Sequence, residues 1–247
     1  MQQEKELLER EGYLILKDFF LEKDILKLRT QAENIFKIQF KRFGYKKSFK
    51  ENMIQLFNEQ LEVFINCGKI IQTGLIELYK LPFEDRLIKK VKDLGLIFPN
   101  LCTRPVLFFN HPMLAKKEVY YKTPVHQDWS SMESSLDSVV IWVPLVDVDI
   151  NNGTLVVWPK SHKKGQLTFQ SEGGFAKVDY EGKTIRPKLK MGDIIIFSTF
   201  LVHASGDILD DSIRWSCHFR YTNMLDQNFI ERGFPNPYIY KSTIKEN

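Results

Sequence analysis

The pattern of apolar and polar positions changes character at Gly95. Ahead of it, apolar residues recur every three to four positions, the period of helices with one buried face. Residues 2–11 have helical composition and stop at Gly12, a C-cap signal. Tyr13-Leu14-Ile15-Leu16 reads as a short strand. A longer helix follows from about Glu22 to Phe43, with Ile25, Leu28, Ala32, Ile35, Phe36 and Ile38 on its apolar stripe and Gly44 at its end. Two or three more helices fill residues 50–94, broken near Pro82. After Gly95, short apolar runs alternate with turns: residues 106–109, 139–143, 154–158, 194–197 and 214–221. Asn151-Asn152-Gly153 is a hairpin-turn signal. Many short strands without intervening helices predict a sandwich or barrel, with a jelly roll the natural candidate. The fold expected is mainly β with a helical N-terminal part. One domain spans 1–247: residues 1–95 mainly helical, 96–223 the jelly-roll core, and 224–247 a tail.

Bulk properties narrow the function classes. A chain of 247 residues with 43% hydrophobic content can bury a sizeable core. Its 35 basic and 31 acidic residues are interspersed, so the net charge of +4 forms no nucleic-acid stripe. Cys67, Cys102 and Cys217 are far apart and odd in number, with neither zinc-knuckle nor disulfide spacing, which points to a reducing cytoplasm. Residues 1–6 are too polar for a secretion signal, and no apolar stretch has membrane-spanning length. The expected partner is a small molecule rather than nucleic acid or membrane, with the chain a monomer or homodimer.

The chemistry concentrates in one ordered set. His126-Gln127-Asp128 is a His-x-Asp triplet, and His203 follows 77 residues later at the end of the apolar run that starts at Asp193. On an extended strand, residues two apart share a face, so His126 and Asp128 could act together while a distant strand supplies the third group. Two imidazoles and a carboxylate on one face of an octahedron is the ligand set of non-haem Fe(II) oxygenases. Eleven residues past His203 stands Arg214, a fixed cation suited to a co-substrate carboxylate.

Around this set the sequence resembles the phytanoyl-CoA dioxygenase family of Fe(II)- and 2-oxoglutarate-dependent oxygenases. The resemblance is carried by His126-Gln127-Asp128-Trp129, Trp142-Val143-Pro144-Leu145, Asn152-Gly153-Thr154-Leu155, Pro159-Lys160-Ser161-His162-Lys163, Gly192-Asp193, His203-Ala204-Ser205-Gly206 and Arg214, with Glu11 to Phe19 matching the family's usual start. It implies a cupin-like double-stranded β-helix with helices packed outside. It puts iron on His126, Asp128 and His203, and 2-oxoglutarate on Arg214 and the Ser205 hydroxyl, with Trp142 lining the same pocket. O₂ is the second co-substrate, and a small molecule is hydroxylated with succinate and CO₂ as co-products. The carboxylate at Asp128 separates the chain from related halogenases, and desaturation, cyclisation and epimerisation stay open. Where the family has Gly, this chain has Lys160, which puts the shape of that turn in question.

The remaining residues carry alternatives. Asn110 and Tyr120 either supply co-substrate hydrogen bonds or are loop residues. His218 and Arg220 share the Arg214 face of one strand and either contact substrate or form a buried polar network. With Lys122 they hint at an anionic substrate group; a protein carboxylate pairing Arg220 is the competing reading. Trp129 is a candidate substrate contact, with core packing the alternative. His162 reads as a turn-stabilising residue, and His111 lies in a loop. A competing function is a non-oxygenase jelly roll that binds a metal, sugar or other small molecule, and Arg214 with Ser205 counts against it. The weak, unpatterned charge counts against a nucleic-acid demethylase.

Overall fold

The computed structural model describes residues 2–114, 122–172 and 175–235. The N-terminal half contains α1 (Gln2–Glu11), β1 (Tyr13–Leu16), α2 (Glu22–Arg42), α3 (Phe49–Glu59), α4 (Leu61–Gly74), α5 (Ile76–Lys80) and α6 (Asp85–Asp93). The break expected near Pro82 is the 3₁₀ turn Leu81–Phe83, and further breaks at Gln60 and Leu75 make four α-helices of residues 50–94 where two or three were expected. Gly12 ends α1 at φ +84, a conformation that an L side chain resists. A capping box starts α3: the Ser48 hydroxyl accepts from the Glu51 N–H at 3.3 Å, and the Glu51 carboxylate accepts from the Ser48 N–H at 3.1 Å.

Helix α2 buries Ile25, Leu28, Ala32, Phe36 and Phe40, as its stripe predicts, but Ile38 faces solvent at 65% exposure. One hundred degrees per residue carries position 38 off the stripe that position 36 centres. Phe36 is wholly buried, with the rings of Phe64 and Phe109 at 5.6 and 5.1 Å. Truncating it to Ala would cost about 3–5 kcal/mol.

The strands are β2 (Pro99–Leu101), β3 (Val106–Asn110), β4 (Val139–Pro144), β5 (Leu155–Val157), β6 (Gln170–Glu172), β7 (Phe175–Lys177), β8 (Ile194–Ser198), β9 (His203–Ser205) and β10 (Arg214–Asn223). A six-stranded antiparallel sheet runs β1-β8-β4-β10-β2, with β3 also on β10. A smaller sheet contains the pairs β5–β9 and β6–β7, joined where His126 bridges both His203 and Lys177. Short α7 (Trp129–Met132) leads away from that junction, and α8 (Gln227–Glu231) lies in the segment expected to be a structureless tail. Residues 236–247 lie outside the described residues.

Alternation sorts the large sheet into two faces. Leu14, Ile141, Val143, Ile196, Trp215, Cys217, Phe219 and Tyr221 pack against the helices. Tyr13, Val140, Trp142, Ile195 and Phe197 point the other way and pack with Leu155 and Val157 of the small sheet. The space between the two sheets is where β10 presents Arg214, Ser216, His218 and Arg220.

Two sequence expectations change here. The Asn151-Asn152-Gly153 turn is present, with Gly153 at φ +80, but β4 and β5 go to different sheets rather than pairing as a hairpin. The apolar run 194–203 is likewise not one strand. It breaks after Ser198, and β9 begins at His203 in the small sheet. The Thr199 and Leu201 N–H groups bond Ser138 and Ser198 carbonyls within this crossing. Among the described residues, no helix is long and apolar enough to cross a membrane, and all three cysteines are free and buried.

Candidate metal centre and active site

His126 and His203 stand opposite each other in the small sheet. Each backbone N–H donates to the other's carbonyl at 3.0 Å. Residues paired in this way send their side chains to one face, and the two imidazole centroids lie 4.1 Å apart. Asp128 arrives differently. It has helical backbone angles (φ −70, ψ −31) and leads into α7, so the extended strand that would have put it beside His126 ends first. The turn itself brings the carboxylate back to the histidines. Between them, Gln127 is buried and fastened to loop backbone: its amide donates to the Gly165 and Phe200 carbonyls, and its oxygen accepts from the Leu167 N–H.

Tautomers follow from the partners. Nδ1 of His126 lies 2.8 Å from the Pro124 carbonyl, and Nδ1 of His203 lies 3.0 Å from that of Leu201. A carbonyl can only accept, so each Nδ1 carries a proton, and in the neutral ring Nε2 is then the atom that presents a lone pair. Both lone pairs face Asp128, with Nε2 of His126 3.7 Å from Oδ1 and Nε2 of His203 3.7 Å from Oδ2. Burial pushes His203 down to about 3, so it stays neutral at physiological pH. Burial is the largest single influence and would raise the Asp128 carboxyl, but the Arg220 guanidinium and the two imidazoles together outweigh it and hold the group well below the usual carboxylate range. Three acceptors therefore converge, their ligand atoms all within 4.8 Å. Lone pairs aimed at an anion repel, and a cation between them reverses the sign. The donor set fits a divalent first-row metal that accepts imidazole and carboxylate, iron included.

Arg214 opens β10 on a wall of the same cavity. Its guanidinium donates to Asn110 Oδ1 at 2.7 Å and to the Gly153 carbonyl, both uncharged. Its buried Nε has no hydrogen-bond partner, and among the described residues no carboxylate pairs with it. Burial draws its pKa down to about 10, which leaves it charged at neutral pH. A buried cation without a counter-ion is costly by several kcal/mol, so the site calls for an anion. Gly153 is set by the packing of this turn, not by Arg214: a Cβ there would lie 2.7 Å from Ile208 but 3.6 Å from the guanidinium. Ser205 lines the same cavity. Its Oγ accepts from the Thr123 N–H at 3.2 Å, which leaves its own proton to donate.

The other expected site residues divide. Trp142 and His218 are register partners on β4 and β10, and both line the cavity. His218 is buried with its Nε2 unpartnered, and burial holds its pKa well below the ordinary value, so it is a neutral wall rather than an anion-binding cation. Arg220 lines the cavity too, but donates to Asp128 Oδ1 at 2.9 Å. That contact overturns the expectation that an acidic substrate group partners Arg220. Lys122 is exposed and paired with Asp207, so it offers no buried cation either. Asn110 holds the guanidinium and is not a cavity wall. Tyr120 lies outside the described residues. Trp129 is a packing residue: its Nε1–H donates to the Ser134 carbonyl at 3.1 Å and its ring stacks on Phe200 at 5.1 Å, off the cavity. His162 binds the Glu9 carbonyl at 3.0 Å and stabilises its turn, as expected. Phe108, Val140, Leu155 and Phe197 form apolar walls that the sequence alone did not single out, since any strand residue of that type could as well be core.

A family model described as phytanoyl-CoA dioxygenase (PhyH) matches residues 8–216. Peroxisomal phytanoyl-CoA dioxygenase of Bos taurus is 28% identical over 250 residues, covering 90% of this chain and 68% of that protein. The Homo sapiens protein is 27% identical, covering 88% and 67%. Among solved structures, EctD from S. alaskensis with 2-oxoglutarate and 5-hydroxyectoine superposes with a TM-score of 0.63 at 17% identity, covering 92% of this chain and 77% of that one. The epimerase SnoN in complex with Fe3+, alpha ketoglutarate and nogalamycin RO gives 0.62 at 16% identity, covering 90% and 83%. At these identities the structural likeness is one of fold. The sequence match over residues 8–216 is what places the chain: it belongs to the phytanoyl-CoA dioxygenase family of iron- and 2-oxoglutarate-dependent oxygenases.

Proposed function

We propose that this oxygenase hydroxylates a small molecule, with His126, Asp128 and His203 holding Fe(II) and Arg214 holding the 5-carboxylate of 2-oxoglutarate. The two facing sheets are then the halves of a cupin-like double-stranded β-helix. The observation that carries the reading is that one cavity holds both an anionic three-acceptor cluster and a buried, counter-ion-free guanidinium. The first needs a cation and the second an anion. A metal-binding jelly roll without an oxoacid co-substrate would have no use for Arg214.

Each residue's contribution follows from its contacts. The Pro124 and Leu201 carbonyls fix the tautomers that leave Nε2 free on both histidines. Asp128 supplies the negative charge. Arg214 suits a carboxylate because its planar fork can donate two parallel hydrogen bonds, and Asn110 and Gly153 set the plane of that fork. The Ser205 hydroxyl can give the same carboxylate a further donor. When bound, iron, 2-oxoglutarate and O₂ supply the C–H oxidation, with succinate and CO₂ as co-products. Phe108, Val140, Leu155 and Phe197 keep water away from it.

The test is an anaerobic titration of Fe(II) and 2-oxoglutarate followed by visible absorption. A charge-transfer band should require both components and vanish in His203→Ala. Absence of the band in wild-type protein that has bound both would refute the assignment.

A further inference from the structure

The three candidate metal ligands are not held alike. His126 and His203 are locked twice, by reciprocal backbone hydrogen bonds and by Nδ1–H bonds to carbonyls. Asp128 sits in a turn at φ −70, ψ −31, where no strand fixes its side chain. Among the described residues, the side chain other than the two histidines that reaches its carboxylate is Arg220, whose Nη2 donates to Oδ1 at 2.9 Å. They approach from opposite sides of the cavity, Asp128 from the turn beside the small sheet and Arg220 from the inner face of the large one.

We infer that Arg220 is a positioning residue for the metal centre: it holds the Asp128 carboxylate through Oδ1 and so commits Oδ2 to the ion. A carboxylate free to turn could offer both oxygens and fill a position that the co-substrate or O₂ requires. Carboxylate ligands are commonly held by an outer hydrogen bond. Here the partner is a charged guanidinium, which makes the bond shorter and stronger than a neutral one. This rests on the metal-centre reading above, and the test separates the two.

Co(II) is the probe, titrated into the full-length protein, with affinity and visible ligand-field spectrum read together. Arg220→Ala should bind Co(II) about 10- to 100-fold more weakly, the range for a lost outer partner, with an altered spectrum. Arg220→Gln keeps an N–H donor and should fall between. Methylguanidinium added to Arg220→Ala should restore the wild-type spectrum, which a merely structural role for Arg220 does not predict. If Arg220→Ala fails to fold, Arg220→Gln and Arg220→Lys carry the same comparison. Wild-type affinity and spectrum in the folded Arg220 variants, beside clear loss in Asp128→Ala, would overturn the role of Arg220 and leave the metal centre standing. A wild-type protein with no Co(II) signal sensitive to Asp128→Ala would overturn both.

Discussion

His126 and His203, 77 positions apart in the chain, are bonded backbone to backbone in both directions at 3.0 Å. Their imidazoles take no part in those bonds. Alanine at either position, or at Asp128, should therefore remove metal binding and 2-oxoglutarate turnover while the fold persists. Metal content, thermal unfolding and 2-oxoglutarate decarboxylation check this together. A variant that keeps wild-type decarboxylation removes its residue from the ligand set.

Arg214→Ala should raise the apparent 2-oxoglutarate constant roughly 30- to 150-fold, equivalent to the ~2–3 kcal/mol of a charge-assisted bidentate contact. Metal binding should survive, since Arg214 contacts Asn110 and Gly153 and no ligand of the triad. Steady-state kinetics in 2-oxoglutarate, with metal affinity measured in parallel, gives the answer. An unchanged constant would mean that another cation holds the co-substrate.

Acid should destabilise the metal-free protein earlier than carboxylate titration alone predicts. His203 is pushed down to about 3 by burial, and His218 well below its ordinary value of 6.5. Both take up a proton on unfolding at any pH between their folded and unfolded pKa values. The unfolded state then binds more protons, so stability falls as pH falls below about 6.5. Each group adds a slope of up to about 1.4 kcal/mol per pH unit. Urea midpoints between pH 7 and pH 4.5 should drop, and less steeply in His218→Phe. A flat midpoint over that range would contradict the neutral buried state of both histidines.

Lys160 stands where the family resemblance leads one to expect glycine, and its φ of +67 lies in the region that glycine favours. The turn needs the left-handed region, where a side chain costs about 1–2 kcal/mol. The turn is held by the Lys160 N–H, which donates to the Glu11 carbonyl at 2.8 Å. With the added freedom of the unfolded chain subtracted from that strain, Lys160→Gly should stabilise the fold by a net of up to about 1 kcal/mol. The melting temperature should then rise by up to about 2–4 °C; calorimetry measures it, and a fall would mean that the Lys160–Glu11 ion pair outweighs the strain.

The parts of this site that could be read from sequence share one property: their signal is local or of fixed period. The His-x-Asp spacing, the position of Arg214 and the inward face of β10 are of that kind. Contacts between distant segments left no such trace. The pairing of Arg220 with Asp128 joins residues 92 apart, one on β10 and one in the turn before α7, and nothing in either neighbourhood identifies the partner. The break between β8 and β9 hid inside an apolar run, because a chain crossing between sheets can stay apolar throughout. Asp128 shows that a right conclusion can rest on a wrong intermediate. Its nearness to His126 comes from a turn, whereas period-two alternation had suggested a strand.

Among the described residues, the two halves of the small sheet meet through the segment 123–126: His126 bridges to His203 on one side and Lys177 on the other, the Val125 carbonyl accepts from the Val178 N–H, and the Thr123 carbonyl accepts from the Ser205 N–H. The β6–β7 ribbon is thus joined to the rest of its sheet across an isthmus four residues wide that ends in a candidate metal ligand. Any force that pulls the ribbon away from β9 is transmitted through the backbone of the group holding the ion. Filling the site should therefore stiffen the ribbon's attachment, and slower exchange of the His126 and His203 amide protons on metal binding would register it.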